Sequence, residues 1–151
     1  MTGGVAIAIV GAGMAGLACA ERLGAAGYAV RLFDKGRGPG GRMSTRRIET
    51  PAGEVAFDHG ASFFTAADPA FRQCVEGWKR DGLAAAWPEA GPGAVVGLPS
   101  MNAPLKAMAA AQDVRWSARV KRLVPGPAGW MLEIGEEDVL EGPFAGVIVA
   151  I

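Results

Sequence analysis

The chain has 151 residues, half of them hydrophobic and a fifth charged, with 15 basic residues against 15 acidic ones. That length suits one domain with its own core, and the composition excludes a disordered chain. Zero net charge gives no bulk attraction to nucleic acid or to an anionic membrane, so neither is expected as a partner. Two cysteines and one histidine exclude a disulfide scaffold and argue against a zinc enzyme. The expected compartment is the cytoplasm. Glycine, at 23 residues, is in excess and is crowded into positions 3–60, which asks for a local reason.

Val5 to Ala20 carries no charge and ends Ala18-Cys19-Ala20, like the core of a signal peptide. The leader Met1-Thr2-Gly3-Gly4 has no basic residue, and Gly11, Gly13 and Gly16 interrupt the run. It is also too short for a membrane helix, so it is read as the start of a fold. Val5-Ala6-Ile7-Ala8-Ile9-Val10 is the pattern of a strand buried on both faces of a parallel sheet. Leu17 to Ala26 reads as a helix with Gly27 at its C′ position. Val30-Arg31-Leu32-Phe33 is a second strand, ended by Asp34.

Residues 35–45 form a Gly/Arg loop. A Pro51-Ala52-Gly53 turn precedes a short strand over Glu54-Val55-Ala56-Phe57-Asp58. Asp68 is placed to cap a helix that opens on Pro69. Phe71, Cys74, Val75 and Trp78 mark the inward face of that helix, and Gly82 can end it. Residues 83–99 show no period and are read as a loop or an excursion into another layer. Leu105, Met108 and Ala109 suggest a short helix after Pro104. From Val114 the pattern is β: Val120, Leu123 and Val124, a Pro125-Gly126-Pro127 turn, then Trp130, Leu132 and Ile134. The charged turn Glu136-Glu137-Asp138 follows, then Val139-Leu140, and Gly146 to Ile151 reads as another buried strand. Ending on such an apolar run is read as truncation, with further chain expected.

Gly11-x-Gly13-x-x-Gly16 sits between a buried strand and a helix, with a second strand and an acid beyond. Gly11 permits the tight turn, Gly13 lets backbone approach a pyrophosphate, and Gly16 lets the helix pack on the strand. The pyrophosphate is expected at the helix N-terminus, where free N–H groups and the dipole favour negative charge. Asp34 stands near the spacing of the acid that binds a ribose hydroxyl, and it would repel a 2′-phosphate. The basic, Gly-rich run from Lys35 through Gly40-Gly41-Arg42 can lay backbone N–H groups and a guanidinium near the same dinucleotide. The expected fold is α/β: a Rossmann-like domain with a parallel sheet plus a β-meander.

Gly11 through Gly16, Phe33-Asp34-Lys35 and Gly40-Gly41-Arg42-Met43 resemble the FAD-binding signature of the flavin amine oxidase superfamily. Asp58-His59-Gly60-Ala61-Ser62-Phe63-Phe64-Thr65-Ala66 is similar to a segment of its bacterial renalase-like branch. The resemblance covers almost the whole chain. It implies a fragment of an FAD-binding domain over 1–151: a Rossmann core over 1–82, a stretch over 83–100 directed to a substrate domain largely outside the chain, and a helix and meander returning over 101–151. It also implies FAD as cofactor, with Ala12, Gly13, Met14 and Ala15 facing the pyrophosphate between Gly11 and Gly16. Asp34 would hold the adenosine ribose, with Lys35 beside it. Gly41 and Arg42 would approach the pyrophosphate and Met43 the flavin side. Gly60, Ala61, Ser62 and Phe63 would border the isoalloxazine, and the Val120 backbone would meet adenine. The implied activity is hydride transfer from a dihydronicotinamide-type or amine substrate to flavin, with reoxidation by O2 to hydrogen peroxide. His59 stands where that branch usually has an apolar residue.

No side chain is singled out as a general base, and no metal is expected. His59 is read as a loop residue contacting solvent or cofactor, with a proton shuttle as the alternative. Arg46 and Arg47 are read as a solvated charged turn, with a nucleotide phosphate as the alternative ligand. Trp78 is expected in the core, and Cys19 and Cys74 as buried, inert thiols. Two further readings stay open: an NAD-dependent dehydrogenase domain, and a truncated, non-catalytic nucleotide-binding module.

Overall fold

The computed structural model of the chain describes residues 6–151. The elements in chain order are β1 (Ala6–Val10), α1 (Met14–Ala25), β2 (Ala29–Phe33), a 3-10 turn (Gly41–Met43), β3 (Thr45–Thr50) and β4 (Gly53–Asp58). Next come α2 (Pro69–Arg80), β5 (Ala84–Ala86), a second 3-10 turn (Pro88–Ala90), β6 (Val95–Gly97) and α3 (Ala103–Ala110). The chain closes with β7 (Val114–Arg115), β8 (Val120–Gly126), β9 (Gly129–Ile134), β10 (Val139–Phe144) and β11 (Gly146–Val149). Two compact units result. One is the chain up to Pro39 with Met108–Ile151; the other is Gly40–Ala107. The first boundary therefore falls inside the 1–82 stretch, and the second inside α3.

In the first unit, the four strands β11-β1-β2-β7 form a parallel sheet in that order. Strand β1 is central, and its alternation sorts its side chains to two covered faces. Ile9, fully buried, lies beneath α1 beside Gly16. Ala8, on the opposite face, joins Phe33, Ala118, Leu132, Ile134 and Phe144 in one apolar cluster. The last three come from the antiparallel meander β10-β9-β8, so the meander covers that face of the sheet. Phe33 and Phe144 meet edge to face at 5.7 Å, a favoured aromatic geometry. The run read as a strand is β1, Val5 lying outside the described residues, and the longer uncharged run to Ala20 continues through the loop into α1. Helix α1 ends at Ala25, with Gly27 beyond its C-cap at φ +88°, as expected of a C′ glycine.

In the second unit, β3 and β4 form a two-stranded antiparallel ribbon. Helix α2 is capped by Asp68, whose Oδ1 accepts from the Phe71 N–H at 2.9 Å. Val75 and Trp78 are buried, and Phe64, Phe71 and Trp78 form an aromatic trio with centroids 5.9–6.2 Å apart.

Four local expectations are corrected. Residues 83–99 are not plain loop: Ala84–Ala86 pairs with Val95–Gly97, and strands of three small or β-branched residues are too short to show a period. Arg46 and Arg47 lie not in a turn but in β3, where the Arg47 guanidinium reaches Glu54 at 2.6 Å. Pro125 and Gly126 stay in β8, and the turn is Pro127-Ala128, with Gly126 opposite Gly129. Proline is tolerated there because β8 is an edge strand. Cys74 is exposed and Cys19 only half-buried, so neither is a core thiol.

Candidate functional site

The site in the first unit is built at the C-terminal ends of β1 and β2. Gly11 leaves β1 at φ +107°, a conformation L side chains rarely adopt, and a Cβ there would lie 2.3 Å from the Ala150 carbonyl oxygen. Its N–H donates to the Phe33 carbonyl at 2.8 Å, so the loop is tied to β2 while Ala150, just after β11, crowds its other side. This is the point where the sheet order runs from β1 to β2 one way and to β11 the other, the crevice in which α/β sheets bind ligands.

Gly16 is buried in the first turn of α1. A Cβ there would sit 1.9 Å from the Gly11 carbonyl oxygen, so glycine alone lets the helix pack on the loop. Gly13, the N-cap, has nothing within 4 Å of where a Cβ would stand. Helix α1 has no side-chain cap and no acid in its first turn. Its leading N–H groups and positive dipole end therefore carry no charge of the protein's own, which suits an incoming phosphate. Ala12 is buried, Met14 half-buried and Ala15 exposed.

Asp34 directs its carboxylate into this loop. Oδ2 accepts from the Ala12 N–H and Oδ1 from the Gly36 N–H, both at 2.7 Å. A carboxylate has about four acceptor positions, so two remain for ligand hydroxyls. The Asp34 carbonyl accepts from the Ala118 N–H and the Gly36 carbonyl from the Ser117 N–H, each at 2.8 Å. These bonds bring the chain leading into Val120 beside the acid. Gly11 to Gly16 and Asp34 are thereby gathered with Ser117 and Ala118, Lys35 is exposed, and Val120 follows in β8, packed against the apolar cluster.

The remaining sequence-derived residues lie in the second unit. Gly40 to Ser44 form a turn in which Met43 N–H donates to Gly40 O at 2.8 Å. Gly41 and Arg42 are exposed and Met43 is buried. Gly60 rests on that turn, since a Cβ would lie 2.1 Å from the Arg42 carbonyl oxygen. Ala61 N–H donates to the same oxygen at 2.7 Å. The Gly40-Gly41-Arg42 and Gly60-Ala61 motifs are thus in direct contact, with Ser62 and Phe63 exposed just beyond.

Sequence reasoning missed a side-chain link: Ser44 Oγ lies 3.1 Å from His59 Nε2. It also missed the Asp58 carboxylate accepting from Thr45 Oγ1 and from the Met101 N–H. No local pattern pointed to them, because β3, which brings these segments together, is largely exposed and shows no alternation. Among the described residues no cluster of His, Cys, Asp and Glu could hold a metal, and no helix is long and apolar enough to cross a membrane.

Residues 9–77 match the model of the NAD(P)-binding Rossmann-like domain. The chain is similar to the zeta-carotene-forming phytoene desaturase of Myxococcus xanthus, at 46% identity over 48 residues. It is also similar to the 4,4'-diapophytoene desaturase (4,4'-diaponeurosporene-forming) of Staphylococcus haemolyticus, at 58% identity over 38 residues. These stretches take in 32% and 25% of this chain but only 9% and 8% of those proteins. Among solved structures, an oxidized steroid monooxygenase bound to NADP superposes with a TM-score of 0.52 at 21% identity. A Diels-Alderase from the biosynthetic pathway of pyrroindomycins superposes with 0.61 at 19%. They cover 95% and 96% of this chain, which spans 25% and 32% of theirs; the likeness is one of fold. Loop, sheet order and matched segment agree on the fold: a mixed α/β architecture with a Rossmann-like parallel sheet.

Proposed function

We propose that this chain is the FAD-binding part of an FAD-dependent oxidoreductase of the renalase-like branch of the flavin amine oxidase superfamily. One observation carries the reading: the Asp34 carboxylate is bonded to the Ala12 N–H, next to the open face of Gly13 and the uncapped start of α1. That loop fits an adenosine diphosphate moiety. The Gly13 to Ala15 amides take the pyrophosphate, Asp34 takes the ribose hydroxyls with Lys35 beside it, and the Val120 backbone takes adenine. By sequence resemblance, Gly41, Arg42 and Met43, and Gly60 through Phe63, serve the rest of the cofactor. Bound FAD supplies acceptance of a hydride from a dihydronicotinamide-type or amine substrate, and its reoxidation by O2 gives hydrogen peroxide. The chain's own contribution is binding and orientation. On this reading the protein works in the cytoplasm on a small molecule, without nucleic-acid or membrane partners.

A second reading, an NAD-dependent dehydrogenase domain, is favoured by the matched domain model. Equilibrium titration of the chain with FAD and with NAD, followed by flavin and protein fluorescence, separates the two. Saturable FAD binding that excess NAD does not displace is expected. NAD binding without FAD binding would replace the first reading by the second.

A further inference from the structure

We propose that His59 is a positioning residue for the turn that presents Arg42 and Met43, acting through Ser44. The proposal rests on the flavin reading above. Segments 42–45 and 58–61 are fastened at three successive points. Thr45 Oγ1 donates to Asp58 Oδ1 at 2.5 Å, Ser44 Oγ and His59 Nε2 share a hydrogen bond at 3.1 Å, and Ala61 N–H donates to Arg42 O at 2.7 Å. Gly60 lies against the same carbonyl, where a Cβ would be only 2.1 Å away. Asp58 Oδ1 also accepts from the Met101 N–H at 3.1 Å, so the second strand of this clamp is itself anchored.

The outer two fastenings hold either end of the stretch, and the middle one depends on a single side-chain pair. Without it, Ser44 is left between a strand end and a turn whose remaining internal bonds are Met43 N–H to Gly40 O and Ser44 N–H to Gly41 O, the latter at 3.2 Å. Ser44 Oγ can donate to this ring nitrogen or accept from it, according to the tautomer. His59 thus acts on the cofactor through the backbone of the Arg42 turn.

The test uses the full chain as wild type, Ser44→Ala, His59→Phe, His59→Gln and the Ser44→Ala/His59→Phe double variant. Amide hydrogen exchange at Ala61 and Met43 is measured without ligand, and FAD affinity by fluorescence titration. Each single loss is expected to speed exchange at these amides and to weaken FAD roughly three- to tenfold, the worth of one hydrogen bond. The double variant should lose no more than either single one, and glutamine, which keeps a hydrogen-bonding terminus, should restore both readouts. Wild-type exchange rates and FAD affinity in His59→Phe, or additive losses in the double variant, overturn the positioning role alone. A wild-type chain with no FAD affinity overturns the flavin reading and this proposal together.

Discussion

Alanine at Gly16 would force its Cβ against the Gly11 carbonyl oxygen, whereas alanine at Gly13 would enter open space. The two substitutions should therefore have opposite signatures. Gly16→Ala is expected to destabilise the fold by about 1–3 kcal/mol, because backbone must move. Gly13→Ala should stay within about 0.5 kcal/mol of wild type yet weaken dinucleotide binding, since the methyl occupies the approach to the pyrophosphate. Thermal unfolding and FAD titration of both variants check the pair; a stable Gly16→Ala or a fully binding Gly13→Ala would contradict it. Asp34→Ala removes the side-chain acceptor at the loop, and a loss of about 1.5–3 kcal/mol in FAD binding is expected by calorimetry. Gly11, Gly13, Gly16 and Asp34 were legible as a spacing within one strand-loop-helix-strand unit, although Gly11 and Asp34 are tied across that unit, to Phe33 and to Ala12. The Ser44–His59 pair was not, because it depends on two strands coming together.

At the scale of elements, Asp68 and Pro69 announced the start of α2, and the cap bond to Phe71 is present. Asp68→Ala should cost about 1 kcal/mol, a fall of about 2–4 °C in melting temperature for a chain of this size. An unchanged melt would mean the cap contributes nothing. Leu132 is fully buried between meander and sheet, and Leu132→Ala should cost about 2–5 kcal/mol, read by chemical denaturation. Strand β1 was legible as an apolar run because it lies inside a parallel sheet; the run from Gly146 to Ile151 was legible as a strand but not as a buried one, since β11 covers only Gly146–Val149 at the edge of the sheet and Val149 is exposed. Strand β3 was not: Arg46, Arg47, Ile48 and Glu49 are all exposed, so neither face is buried and no alternation forms. Cys74 misled for a related reason. It sits one residue before Val75 on the helix, near enough to the apolar face to satisfy a period but turned outward.

At the scale of the molecule, the parallel sheet and the meander were anticipated, and the division at Pro39/Gly40 and inside α3 was not. Contacts distant in sequence make that division: residues beyond Met108 return to the strands that precede Pro39. The proposed function depends most on the loop after β1 holding an adenosine diphosphate whose ribose is bound by Asp34. The direct measurement is the calorimetric affinity of ADP and of adenosine 2′,5′-bisphosphate for the wild-type chain and for Asp34→Ala. The account predicts that wild type binds ADP and discriminates against the 2′-phosphate, and that Asp34→Ala loses both ADP affinity and the discrimination. Equal affinities for the two nucleotides in wild type, unchanged on removing the carboxylate, would contradict it.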